Sequence, residues 1–452
     1  MTLLNELSAE VCQRARMSRD PRFDGRFFVA VKTTGIFCRP ICPANLPKEE
    51  NVEYFSSQAL AVSAGYRPCL RCRPESAPHS WAWKGAETTF LRALTLIEQG
   101  ELDGSLETLA SRLGISDRYL RQLFQRHLGM PPKQYAQIQQ LMFAKQLLHT
   151  SQISITEVAY ASGFQSTRRF NDAFQKLFRL TPTQVRRERA ALPSRNHLSL
   201  AFRGPFDWAH MLDFYRLRAI EGMELVDEQS YQRHFVLGEG TGWFKASMAQ
   251  SHLDIEFEME RLSDLRHLVA RLRRMFDLDA DLISIEAHLE HLAPGLVRRT
   301  GIRIPGVWNA WEAGVRAVLG QQVSVKAAIG QLNLLVSTLA ASEGSTRYFP
   351  TPEQVQMSDL SFLRMPERRK ETLKRLADYV RLHPMDSPMA WLSLSGIGPW
   401  TVDYAQLRGE SRSHCFLTGD LIVKKALAKF PQLTAESVAP WGSYATFHCW
   451  SH

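Results

Sequence analysis

Four of the chain's seven cysteines fall in two short-spaced pairs near the N-terminus, Cys38 with Cys42 and Cys69 with Cys72. Each pair can present two sulfurs from one turn of chain, so the two together can close a tetrahedron around one Zn²⁺. No other feature restricts the folding of this chain so sharply. The alternatives are two disulfides or four unrelated buried thiols. The opening segment MTLLNELSAEVCQRARMSRD is broken by charges and has no apolar signal region, so a reducing cytosol is expected, where structural disulfides are rare. A closed structural zinc is the default for an all-cysteine site. Arg39, Lys48, Arg67, Arg71 and Arg73 crowd these ligands, however. Four thiolates on one Zn²⁺ leave a charge of about −2, and cations around it could hold a phosphate backbone against the sulfur.

The strings TTGIFCRPICPA and GYRPCLRCRP resemble the N-terminal zinc domain of the Ada family. The resemblance implies one zinc per chain on Cys38, Cys42, Cys69 and Cys72. It also implies that Cys38, first in the CRPxCPA segment, accepts a methyl group from a methylated DNA phosphate. A metal-bound sulfur stays a nucleophilic thiolate at neutral pH, which suits direct displacement. Because methylation is irreversible, each chain would act once.

At 452 residues the prior is about three domains, and the 44% hydrophobic content allows a separate core for each. Lys and Arg number 55 against 46 Asp and Glu, a net +9, which favours a polyanionic partner such as nucleic acid. No apolar run approaches the ~20 residues of a membrane span, so no membrane partner is expected. The expected location is the cytoplasm, associated with the nucleoid.

The first domain is placed at residues 1–78, followed by a Pro- and Ser-bearing linker, RPESAPHSWAWKG, that ends near Ala86. From 86 to 190 apolar residues recur at helical spacing, as in Leu106, Leu109, Ala110 and Leu113. SLETLASRLGISDRYLRQLFQRHLG reads as a helix, a turn at Gly114 and a second helix capped by Ser116. The same phrasing returns in SITEVAYASGFQSTRRFNDAFQKLFRLTP, with a turn at Gly163 and a helix opening near Ser166. From Ser166 to Arg189 seven basic residues face two acidic ones, so DNA contact outweighs a merely solvated face. Paired helix-turn-helix units resemble AraC-family regulators, whose GFxSxxxFxxxFxxxxxxTP string matches Gly163 through Pro182. DNA-binding helices would then read the major groove through Asp117, Arg118 and Arg121 in one unit and Thr167, Arg168 and Arg169 in the other. The same resemblance implies RNA polymerase as a partner.

Beyond ALPSRNHLS the texture alternates apolar and polar around LSLAFRG, HFVLGEG, GWFKASMAQ and HLDIEFEME, the pattern of an antiparallel sheet. Helical periodicity resumes near Leu262. An α+β subdomain is placed at 197–290 and a helical domain at 291–452, making the whole a multidomain α+β protein: a small zinc-bound α/β domain, an all-α double helix-turn-helix domain, an antiparallel-sheet subdomain and a helical domain. In LSGIGPWTVDYAQLRG, Gly396 and Gly398 permit a tight turn and Pro399 suits the first position of the next helix. This reads as a helix-hairpin-helix able to grip a DNA phosphate through backbone N–H groups.

That hairpin, followed some twenty residues later by Asp420, resembles the helix-hairpin-helix base-excision glycosylases. The stretches PFDWAHMLDFYRLRAIEG, VRAVLGQQVSVKAA, GDLIVKKAL and APWGSYATFHCW resemble the AlkA branch, the 3-methyladenine DNA glycosylases II. The resemblance implies N-glycosidic hydrolysis of an alkylated base, with Asp420 as the carboxylate that stabilises the sugar cation and orients water. Phe214, Trp400, Tyr404 and Trp450 match the family's pocket, whose electron-rich rings attract a flipped cationic base. Gln321 and Gln322 match its DNA-inserting loop, with Gln322 where some relatives carry an apolar wedge. Trp400 stands where lyase-type relatives place a Schiff-base lysine, so a monofunctional glycosylase is expected. Cys12, Cys415 and Cys449 lack the PCHR context of an O6-methylguanine methyltransferase, and that activity is expected to be missing. The alternative is a DNA-binding regulator with a purely structural zinc and an inactive glycosylase half.

Overall fold

The structure is a computed structural model that describes residues 7–20, 23–72, 74, 81–98, 100, 102, 105–187, 196–339, 342–343, 346–384 and 386–451. The chain divides into two compact units, Met1–Gln139 and Gln140–His452, and the division falls inside the helix Pro132–Thr150.

In the first unit a four-stranded sheet runs in the order Val52–Phe55, Phe28–Val31, Ile36–Cys38, Arg67–Pro68. Three strands pair antiparallel, and the last joins Ile36–Cys38 in parallel. That parallel pairing brings the two cysteine pairs together, because Cys69 N donates to Phe37 O at 3.0 Å just as the neighbouring strand reaches Cys38. The following helix spans Trp81–Glu98, so the helical domain begins earlier than the Pro- and Ser-rich composition suggests; Arg73, Ser76 and Pro78 lie outside the described residues. The first helix-turn-helix consists of Leu106–Arg112 and Asp117–Leu128. Ser116 Oγ accepts from Tyr119 N at 3.2 Å, and Gly114 takes the left-handed φ of +67° at the turn. Leu106, Leu109, Leu120, Leu123 and Phe124 are buried between the helices.

The second unit opens with the repeat of this motif, Ile155–Ala161 and Thr167–Phe178. Ser154 and Glu157 form a reciprocal capping box, Ser166 Oγ accepts from Arg169 N at 3.2 Å, and Gly163 turns the chain at φ +84°. Phe164, Phe170 and Phe174 fill its core. Helix Ile155–Ala161 packs against the short turn Leu262–Asp264, and the core continues into a five-stranded antiparallel sheet. Its order is His197–Ala201, His252–Met259, Gly240–Met248, Ser230–Leu237, Glu224–Val226. The inward faces alternate as expected of a half-buried sheet, with Tyr231, Phe235, Phe244, Ile255 and Phe257 buried. The three-residue edge strand Glu224–Val226 is too short to show a period and is not visible in the sequence pattern.

The helical part centres on Ala310–Gly320, buried from Trp311 to Leu319 and packed against Pro399–Glu410. The two helices touch at Gly409, where a Cβ would lie 2.5 Å from Ala310 Cα. Sheet and helices are tied by a buried charge cluster. Arg233 pairs with Glu224 and Glu312, and Arg316 bridges the same two carboxylates. Burial works against the Glu312 charge, yet Arg233 and Arg316 hold its carboxyl down to about 2. Two cations and two anions thus compensate one another within the core.

Candidate functional sites

Cys38, Cys42, Cys69 and Cys72 place their sulfurs all within 4.8 Å of one another. As bare thiols they share protons: the hydrogen bond to Cys72 pushes Cys38 far up, and the same bond holds Cys72 down to about 6. A compact all-sulfur donor set of this kind suits Zn²⁺, and the cysteines are positioned to hold it. The surrounding cations divide into two classes. Arg39 is committed to the protein: its guanidinium forks onto Asp24, with Nε to Oδ1 at 2.8 Å, and its backbone N–H donates to Cys72 Sγ at 3.4 Å. It therefore orders the ligand loop rather than reaching a phosphate. Arg67 and Arg71 are exposed, and so is Lys48, which lies 3.8 Å from Glu50 in a solvent-exposed ion pair.

In the first helix-turn-helix, Asp117, Arg118 and Arg121 open the second helix; Asp117 and Arg121 form an ion pair at 3.5 Å. In the second unit Thr167, Arg168 and Arg169 open the corresponding helix, with both arginines exposed.

The hairpin folds as its glycines require. Gly396 has φ +93° and Gly398 caps Pro399–Glu410. Among the described residues the amides of Gly398 and Trp400 have no acceptor within the protein, the state of the first N–H groups of a helix. Gln321 is a strut: its Nε2 donates to Gly396 O at 3.1 Å and to Thr401 Oγ1 at 3.2 Å. It fixes the loop to the hairpin, while Gln322, at φ +56°, and its neighbour Val323 are exposed.

Beside the loop is a cavity of about 390 Å³ lined by Phe214, Trp400, Tyr404, Asp420 and Trp450 together with Arg218. Sequence reasoning brought the first five together and missed the sixth. Arg218 lies four residues after Phe214, just past the end of the helix Trp208–Arg216, so only its spacing signalled it. Asp420 caps the helix Leu421–Leu427. Its Oδ1 accepts from Ile422 N at 2.8 Å, Val423 N at 3.2 Å and Trp450 Nε1 at 3.1 Å, while Oδ2 has no hydrogen bond among the described residues. The cap and Trp450 thus occupy one oxygen and leave the other without a hydrogen bond among the described residues. The carboxylate is half-buried rather than buried. Trp400 and Tyr404 stack at 5.4 Å, and Phe214 lies nearly parallel to Trp450 at 6.2 Å. The Phe214 ring differs from the others, since Arg218 sits 3.7 Å and Arg408 4.7 Å from its centroid. Its attraction for cations is already used by the protein's own arginines.

Three family models match: the metal binding domain of Ada at residues 11–75, a helix-turn-helix domain at 109–188 and the AlkA N-terminal domain at 197–309. The DNA-3-methyladenine glycosylase 2 of Escherichia coli is 33% identical over 277 residues, 56% of this chain and 96% of the relative. The bifunctional transcriptional activator/DNA repair enzyme Ada of the same organism is 35% identical over 170 residues, 38% of this chain and 47% of the relative. A probable bifunctional transcriptional activator/DNA repair enzyme AlkA of Mycobacterium tuberculosis is 34% identical over 475 residues, covering 98% of this chain and 96% of the relative. With an Ada-type half and an AlkA-type half joined in one chain and the match running over 96% of that relative, the protein belongs to the family of bifunctional transcriptional activator/DNA repair enzymes.

Proposed function

We propose that Cys38 accepts a methyl group from a DNA methylphosphotriester and thereby turns on transcription activation, and that Asp420 drives excision of alkylated bases in the C-terminal half. The observation that best supports the second assignment is the division of labour within Asp420: three donors saturate Oδ1 while Oδ2 stays open beside the aromatic rings. As the glycosidic bond breaks, positive charge grows on the sugar, and a fixed carboxylate oxygen next to it stabilises that charge without reorganisation. Trp400, Tyr404 and Trp450 offer faces to a flipped base. At the sulfur cluster, bound Zn²⁺ supplies the charge that keeps four thiolates ionised together. Arg39 holds the ligand loop through Asp24, and the exposed Lys48, Arg67 and Arg71 draw in the DNA backbone. RNA polymerase is the partner expected of the activator half.

The Asp420→Asn variant tests the excision step on duplex containing 3-methyladenine. It keeps side-chain shape and part of the cap, so folding and DNA binding should survive while the single-turnover rate collapses. An unchanged rate would reduce Asp420 to a cap. Trp400 in place of a lysine supports a monofunctional enzyme, and borohydride should trap no enzyme–DNA adduct. A trapped adduct would point first to Lys424 or Lys425. Peptide mass analysis after incubation with methylphosphotriester DNA should place the methyl on Cys38; a label on another cysteine would refute that assignment.

A further inference from the structure

The cavity holds a charge at odds with a simple cation trap. Arg218 lines it, and among the described residues no carboxylate pairs with this guanidinium. One N–H donates to Phe214 O at 3.2 Å, and the group stacks on the Phe214 ring at 3.7 Å. The backbone carrying it is held in turn, because Arg316 of the buried charge cluster donates to Arg218 O at 2.9 Å. Burial pushes Arg218 down to about 10, so it stays charged at neutral pH. With five N–H groups on a guanidinium and one committed to Phe214 O, the others remain for whatever enters. A positioned cation of this kind repels an already cationic alkylated base.

The electron count of the reaction gives that cation a use. When the C1′–N bond breaks, its electron pair passes to the base nitrogen, and water adds its oxygen to C1′. A cationic alkylpurine then leaves neutral, and the water's proton goes to solvent. A neutral base leaves as an anion and takes that proton, so negative charge builds on the base during departure, first on the leaving ring nitrogen and by conjugation on its carbonyl oxygen. A guanidinium beside that oxygen stabilises the second course and opposes the first. We propose that Arg218 is a specificity-determining residue that sorts bases by charge, favouring excision of neutral, carbonyl-bearing damaged bases such as a deaminated adenine at some expense to cationic alkylpurines. This rests on the glycosylase reading above. Asp420 acts on the sugar for both classes, and Arg218 acts on the base for one.

The test is a ratio within one preparation, which cancels differences in active fraction. Single-turnover release by full-length protein is measured on duplexes carrying hypoxanthine or 7-methylguanine, for wild type, Arg218→Gln and Arg218→Lys. The hypoxanthine-to-7-methylguanine rate ratio should fall on the order of tenfold or more in the glutamine variant, and the lysine variant should retain most of it. If the glutamine variant does not fold, Arg218→Met, which keeps the packed stem, reads the same ratio. An unchanged ratio, with both rates falling together, would make Arg218 a packing residue and overturn the proposal. Wild type that releases 7-methylguanine but not hypoxanthine would also overturn it. Wild type that releases neither would instead remove the glycosylase reading, and the proposal with it.

Discussion

Trp450 Nε1 donates to Asp420 Oδ1 at 3.1 Å, joining residues 30 apart in sequence. This bond gives Trp450 a second task besides offering a ring face, since it helps choose which carboxylate oxygen the cavity receives. Trp450→Phe keeps the aromatic face and removes the donor. The two backbone donors from Ile422 and Val423 remain, so the helix cap should hold and the melting temperature change little. Losing one charge-assisted hydrogen bond costs about 1–2 kcal/mol, and if it is lost in the transition state the single-turnover rate falls roughly tenfold. A rate equal to wild type would assign Trp450 to stacking alone.

The two hairpin glycines should separate folding from DNA grip. A Cβ at Gly396 would lie 2.1 Å from Thr372 Oγ1, at φ +93°. Gly396→Ala is therefore expected to destabilise by about 1–3 kcal/mol. Around Gly398 a Cβ would find nothing within 4 Å, and its φ of −110° is open to any residue. Gly398→Ala should leave the melting temperature nearly unchanged yet weaken non-specific duplex affinity, because the added methyl occupies the approach to the free amides. Denaturant melts beside fluorescence-anisotropy titrations distinguish the two.

What was legible in the sequence was local. Cysteine spacing, Ser116 and Ser166 as caps, Gly114 and Gly163 as turns, and Pro399 after Gly398 each declare themselves within a few residues, because the physics behind them acts within one turn of chain. The features that were not legible depend on partners far away or outside the pattern. Arg39 reads as a phosphate ligand until the fold brings Asp24 to its guanidinium. Gln321 reads only as a member of the inserting loop, and its bond to Gly396, 75 residues onward, appears with the fold. Arg218 is one basic residue among 55 Lys and Arg, and only burial against Phe214 singles it out. The helix starting at Trp81 hides behind a Pro- and Ser-rich approach whose composition outweighs its own helical signal.

The sulfur cluster makes a prediction about switching. Freshly purified protein should contain one zinc per chain, and Cys69→Ser should lower that content. Methyl transfer converts the Cys38 thiolate to a thioether and removes one negative charge from a site flanked by Lys48, Arg67 and Arg71. Repulsion of each nearby phosphate then drops by about 1 kcal/mol, so promoter affinity should rise, and rise most at low salt. Equal affinities of methylated and unmethylated protein at low salt would reject an electrostatic switch.

Asp277 makes stability fall as pH rises from about 4 to about 7. It sits at φ +53°, where Oδ2 accepts from Tyr444 Oη at 2.9 Å and from Ile304 N at 3.3 Å. Burial pushes its carboxyl up to about 7 from an ordinary 3.8, with Arg303 acting in the opposite sense and Asp279 reinforcing it. A folded-state value above the unfolded one means that the protonated carboxyl stabilises the fold. Its contribution is fully present below about pH 4 and is lost as pH rises through 7. Asp277→Asn keeps an acceptor for Tyr444 and tolerates the left-handed backbone, while removing the charge that costs stability once the carboxyl ionises. Wild type should therefore lose melting temperature relative to the variant as pH rises from about 4 to about 7, by an amount corresponding to roughly 1–3 kcal/mol, and the gap should stay level above that. Near pH 4 and below, the difference between the two should be smallest. Parallel pH profiles for the two proteins would show that burial does not raise the Asp277 carboxyl in the fold.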